Sequence, residues 1–152
     1  MSSLQSPPME GPSPARLFAT AGGATLVIAG IVGFFYSASF GSPGDVSEVF
    51  GAFAVNGWDN VLHILTGAIC LLAADYASRR CSLLVGLFYF VLGFWGFVVG
   101  SGDAVLGFLP VNAGDNLFHL AVGCLGILAW RGTQAQGTPS ASRPGVPGGA
   151  KA

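Results

Sequence analysis

Apolar residues fall in four long blocks, separated by short polar or glycine- and proline-bearing breaks. Leu17–Phe40 runs 24 residues without a charge, and no charge lies between Arg80 and Asp103. A membrane-crossing helix needs about 20 predominantly apolar residues. The pattern therefore predicts helices over about 17–40, 56–77, 82–101 and 112–130. Residues 1–15 are rich in Ser and Pro, and 132–152 in Gly, Pro, Ser and Thr, so both ends are expected to be disordered. The fold class expected is all-α: an integral membrane four-helix bundle over 16–131 with up-down topology. A cleaved leader ending at Ser37-Ala38-Ser39 is the competing reading of the first block. Its 24 apolar residues exceed the roughly 7–15 of a signal core.

The blocks are not independent. Val55-Asn56-Gly57-Trp58-Asp59-Asn60-Val61-Leu62-His63 recurs 56 residues later as Val111-Asn112-Ala113-Gly114-Asp115-Asn116-Leu117-Phe118-His119. Gly67 and Gly123 keep the register. Upstream, Gly30-Ile31-Val32-Gly33-Phe34 resembles Gly93-Phe94-Trp95-Gly96-Phe97 at an offset of 63. The repeating unit is thus a helical hairpin, and two parallel copies imply a pseudo-two-fold axis along the membrane normal.

At 100° per residue, Asp59, Asn60, His63, Thr66, Gly67 and Cys70 share one helix face. Asp115, Asn116, His119, Gly123 and Gly126 do the same in the second copy. These faces should point into the bundle as a binding or interhelical polar cluster of Asp59, Asn60, His63, Asp115, Asn116 and His119. Asn56 and Asn112 suit N-caps, with Asp59 and Asp115 at the third helical position of a capping box. Each His falls about 10 Å beyond its cap, where an ionisable group faces a partner or a polar cavity. Hydrogen bonds that lock the hairpins together would account for them. So would a shared site in which His63, His119, Asp59 and Asp115 bind a divalent metal such as zinc. Two His at matched depth could also hold a haem, with Gly67 and Gly123 leaving room for the ring, or the groups could relay protons or ions. Gly30, Gly33, Gly67, Gly86, Gly93, Gly96, Gly100 and Gly123 are expected helix-packing positions, Gly96 and Gly100 forming G-x-x-x-G.

Charge decides orientation and excludes partners. Charged residues make up only 9% of the chain and the net charge is −1. A soluble domain carries about 25% charged residues, and a nucleic-acid binder shows a basic patch. Arg16, Arg79, Arg80 and Arg131 would all lie on one side of the membrane, which the positive-inside rule makes cytoplasmic, with both termini. The acids Asp45, Glu48 and Asp103 fall on the other side. Asp75 and Arg79 have the spacing of an i,i+4 pair. Trp58 and Trp130 suit the two membrane interfaces, and Trp95 is expected to pack deep. Cys70, Cys81 and Cys124 match no metal spacing and read as small apolar packing residues.

The repeated D-N-x-x-H, with its upstream Asn and downstream Gly, resembles the bacterial family catalogued as domain of unknown function 4383, over about Leu17–Trp130. That resemblance implies a small four-helix protein of the cell membrane, the inner membrane in bacteria, and supplies no activity. No G-x-S-x-G, H-E-x-x-H or phosphate loop is present. The expected function is a non-enzymatic structural or accessory membrane protein whose partners are the lipid bilayer and a second copy or larger assembly. The alternative is metal, haem or proton binding or transport by the Asp/His cluster.

Overall fold

A computed structural model of the chain describes residues 11–42 and 46–133. The outer parts of both termini expected to be disordered, and Asp45, lie outside the described residues. The fold is mostly helical, with α1 Pro14–Phe34, α2 Gly57–Ala73, α3 Ser78–Val99 and α4 Ala113–Gly132. Two small antiparallel hairpins interrupt them: β1 Ser47–Val49 with β2 Phe53–Val55, and β3 Ala104–Val105 with β4 Leu109–Pro110. Helices α1, α3 and α4 are long and apolar enough to cross a membrane, while α2 is apolar but 17 residues long.

The helix ends differ from those expected, for local reasons. Pro14 and Ala15, expected in a disordered segment, begin α1: Ser13 accepts from the Arg16 N–H and Pro14 takes the first helical position. A π-turn over Phe18–Gly22 follows, and the helix stops at Phe34 rather than near 40. Beyond it the backbone is committed to α2. The Ser37 carbonyl accepts from Asn60 Nδ2 at 2.8 Å, the Ser39 carbonyl from the Gly57 N–H at 2.6 Å, and the Phe40 carbonyl from Trp58 Nε1 at 2.9 Å.

Helix α2 ends at Ala73, and a four-residue turn leads directly into α3 at Ser78. Arg79 and Arg80 are therefore in the first turn of α3, not in a loop. Asp75 pairs with Arg16 at 2.7 Å rather than with Arg79. Arg79 instead donates to the Thr133 carbonyl at 2.8 Å and lies over the Trp130 ring. One end of the molecule thus gathers the start of α1, the α2–α3 turn and the end of α4. Both β-hairpins lie where loops were expected. Their turns place Phe50 and Leu106 in the left-handed region at φ 54°, each followed by a glycine of positive φ.

Helix α1 packs mainly on α2, and α3 mainly on α4. The two pairings use corresponding residues. A Cβ at Gly30 would strike the Asn60 carbonyl, and one at Gly93 would meet the Asn116 carbonyl at 2.8 Å. At Gly33 and Gly96 a Cβ would fall on the side-chain oxygens of Asn60 and Asn116. Gly67 faces the Gly23 carbonyl, and Gly123 the backbone of Phe90. Helices approach this closely only where a side chain is missing. Gly100 does not belong to this set: it ends α3 at φ +100° with nothing within 4 Å of a Cβ. Trp95, expected deep, is 42% exposed and faces outward with Leu84, Val91 and Val98.

Gly33→Ala and Gly96→Ala should each destabilise the bundle by about 1–3 kcal/mol, the usual cost of overpacking. Gly132→Ala, where a Cβ meets only Pro14 at 3.4 Å, should not. Thermal melts of the three variants in one detergent test this, and equal melting temperatures would contradict the packing described.

Candidate functional site

The two D-N-x-x-H segments open α2 and α4, and their polar residues are buried. Asp59 is 3% exposed, His63 6%, Asp115 5% and His119 2%. The local cause is the cap. Asn56 and Asn112 take extended backbone and accept the N–H groups of Asp59 and Asp115, each at 3.0 Å. This ties the start of each helix so that positions three, four and seven turn inward.

The caps also cross between the helix pairs. Asn56 Nδ2 donates to the Phe108 carbonyl, at the edge of the second hairpin, at 2.6 Å. Asp115 Oδ2 accepts the Ala54 N–H of β2 at 2.8 Å and the Asn112 N–H at 3.1 Å, completing a capping box. Asn60 and Asn116 seat their side-chain oxygens against Gly33 and Gly96 and serve helix packing.

What converges is smaller than the cluster read from the sequence. Asp59, His63 and His119 each offer a ligand atom, and these lie within 4.8 Å of one another. Asp115 is not in this group; its Oδ2 accepts the two backbone N–H groups. Asp59 Oδ2 stands 3.2 Å from His63 Nδ1, close enough for an ion pair but without hydrogen-bond geometry. His63 Nε2 and both ring nitrogens of His119 are buried without a hydrogen-bond partner. The imidazole centroids are 5.6 Å apart. Leaving a buried polar atom unpaired costs about 1–3 kcal/mol, so several in one place call for a ligand or a strong structural reason.

Tyr89 of α3 was not singled out in the sequence. Its ring lies parallel to His63 with centroids 5.9 Å apart and sits 5.3 Å from His119. Its hydroxyl meets Thr66 Oγ1 at 2.7 Å. A tyrosine in an otherwise apolar helix needs such a partner for its hydroxyl, and that was the available signal. A cavity of about 250 Å³, lined by Ala29, Val32, Val49, Phe53 and Phe118 among others, reaches Asp59, His63 and Asp115.

The space expected for a haem does not lie at the two glycines. Gly67 and Gly123, expected to make room for the ring, are closed against the backbones of Gly23 and Phe90. The cysteines divide. Cys124 is exposed, whereas Cys70 and Cys81 are buried with sulfurs 3.4 Å apart.

Asp115→Ala should lower stability by about 1–3 kcal/mol, because it strands the Ala54 and Asn112 N–H groups. Asp115→Asn keeps an acceptor oxygen and should cost less. Denaturation of both variants, with hydrogen exchange at the Ala54 amide, checks this. Unchanged exchange in Asp115→Ala would contradict the cross-link.

The family model described as Domain of unknown function (DUF4383) matches residues 16–131. The chain therefore belongs to that family. No curated protein and no solved structure matches it.

Proposed function

We propose that this DUF4383 chain is a non-enzymatic, multi-pass membrane protein that binds a divalent transition-metal ion through Asp59, His63 and His119. The unpartnered nitrogens of His63 and His119, buried beside a carboxylate, carry this reading. Two imidazoles and a carboxylate are a donor set that zinc and its first-row neighbours accept. Donors about 2.0–2.2 Å from one tetrahedral ion stand roughly 3.4 Å apart. Side-chain rotation would bring the three groups to that spacing. Three protein ligands leave a fourth position, and the cavity at Asp59 and His63 gives it an approach. Tyr89, with its hydroxyl bonded to Thr66, packs against both rings.

The membrane arrangement supports this placement. The outward faces carry Ile28, Leu65, Leu72, Leu84, Val98, Leu125 and Leu128, all more than half exposed, as lipid contact requires. Corresponding glycine–asparagine contacts in the α1–α2 and α3–α4 pairs support two repeated hairpins, up-down, related by a pseudo-two-fold axis. Arg16, Arg79, Arg80 and Arg131 at one end make that end cytoplasmic by the positive-inside rule, with both termini. The metal-binding groups then lie near the outer face. An ion there bridges the hairpins, Asp59 and His63 coming from one and His119 from the other. This is an accessory role in binding rather than a reaction.

Purified full-length protein equilibrated with zinc and freed of excess should retain about one zinc per chain by elemental analysis. His63→Gln with His119→Gln should retain none, and Asp59→Asn should bind at least about tenfold more weakly, the lower end for disturbing a metal site. Asp115→Asn should load like the parent. Equal zinc in the parent and the double His variant would overturn the assignment.

A further inference from the structure

We propose that Cys70 and Cys81 are a dithiol–disulfide site, oxidised reversibly by hydroperoxides, that fastens the last turn of α2 to the first turn of α3. Three observations meet here. The sulfurs are 3.4 Å apart, with Cys81 directed at Cys70. Both side chains are buried, at 0% and 6% exposure, so they are held against one another and not against lipid. The α2–α3 turn is only four residues long, and Cys81 N–H donates to the Ala77 carbonyl at 2.9 Å, so the backbones on either side are fixed. A disulfide has its sulfurs about 2.05 Å apart, within reach of small rotations of two side chains.

The chemistry balances with one named co-reactant. Cys81 is the less buried residue of the two and attacks first. Its sulfur forms a bond to one oxygen of a hydroperoxide and the O–O bond breaks. The leaving alkoxide (hydroxide from hydrogen peroxide itself) takes up the thiol proton, and Cys81 becomes a sulfenic acid. Cys70 sulfur then attacks the Cys81 sulfur. The S–S bond forms, the S–O bond breaks, and the thiol proton leaves with the hydroxyl as water. Two thiols are oxidised and one hydroperoxide is reduced. A dithiol reverses the result by attack on the disulfide. A small uncharged oxidant suits a pair that a bulky charged disulfide could not reach. The site stands independently of the metal reading, since none of its atoms belongs to that cluster.

The test uses the full-length protein in detergent with hydrogen peroxide as probe, followed by acid quench, unfolding, maleimide labelling and intact mass. The untreated protein should take three labels, one per cysteine. The oxidised protein should take one, on exposed Cys124, with a Cys70–Cys81 link in the peptide map and three labels restored by a dithiol. The Cys70→Ser variant should stop at a sulfenic acid on Cys81, trapped by dimedone. Three labels after peroxide treatment would overturn the proposal, as would sulfinic acids without a link or a bond from Cys124 to another copy. Absence of the dimedone adduct in the Cys70→Ser variant would overturn the assignment of Cys81 as the attacking sulfur.

Discussion

Two asparagines pressed against two glycines set the geometry on which the rest depends. Asn60 and Asn116 are almost wholly buried, and each has its side-chain oxygen where a Cβ of Gly33 or Gly96 would stand. Within a bilayer no water satisfies an amide, so it must find partners in protein. Asn60 finds one in the Ser37 carbonyl and closes on the glycine backbone. Asn116 stands against Gly96 likewise between α3 and α4, and the side-chain oxygens of both asparagines are buried against the glycines without a hydrogen-bond partner. With those spacings fixed, the next polar residues on the same faces cannot reach solvent and must meet between the pairs.

The same five-residue motif then does two different jobs. In the second copy the carboxylate of Asp115 is taken by backbone N–H groups of its own cap and of β2. In the first copy the carboxylate of Asp59 turns to His63. A sequence repeat thus yields an unequal site, one carboxylate structural and one beside the imidazoles. The structural one ties β2 to the start of α4. Tyr89 and Phe118 pack against both imidazoles.

Much of this was legible in the sequence. Four apolar blocks gave four helices, and the period of 3.6 residues placed Asp59, Asn60, His63, Gly67 and Cys70 on the buried face of α2. Asn at the start of each repeat marked the caps. What was not legible depends on long-range contact. Nothing local distinguishes Asp59 from Asp115, because the difference lies in whether a β-strand N–H arrives from elsewhere. The short hairpins follow Phe50-Gly51 and Leu106-Gly107, which lack the usual Asn-Gly or Asp-Gly signal. Gly100 resembled a packing glycine by spacing, yet it follows the last turn of α3, where positive φ is the requirement. Cys70 and Cys81 are eleven positions apart and come together only because the α2–α3 turn is tight.

In the proposed site, nitrogen and oxygen donors from two helix pairs close on one ion. X-ray absorption of the zinc-loaded full-length protein tests it most directly. The expected spectrum has a first shell of nitrogen and oxygen at about 2.0–2.2 Å with the outer-shell pattern of two imidazoles, lost in the His63→Gln, His119→Gln variant. A sulfur shell at about 2.3 Å, which would place zinc at the cysteine pair, or a spectrum of zinc in water alone, would contradict it.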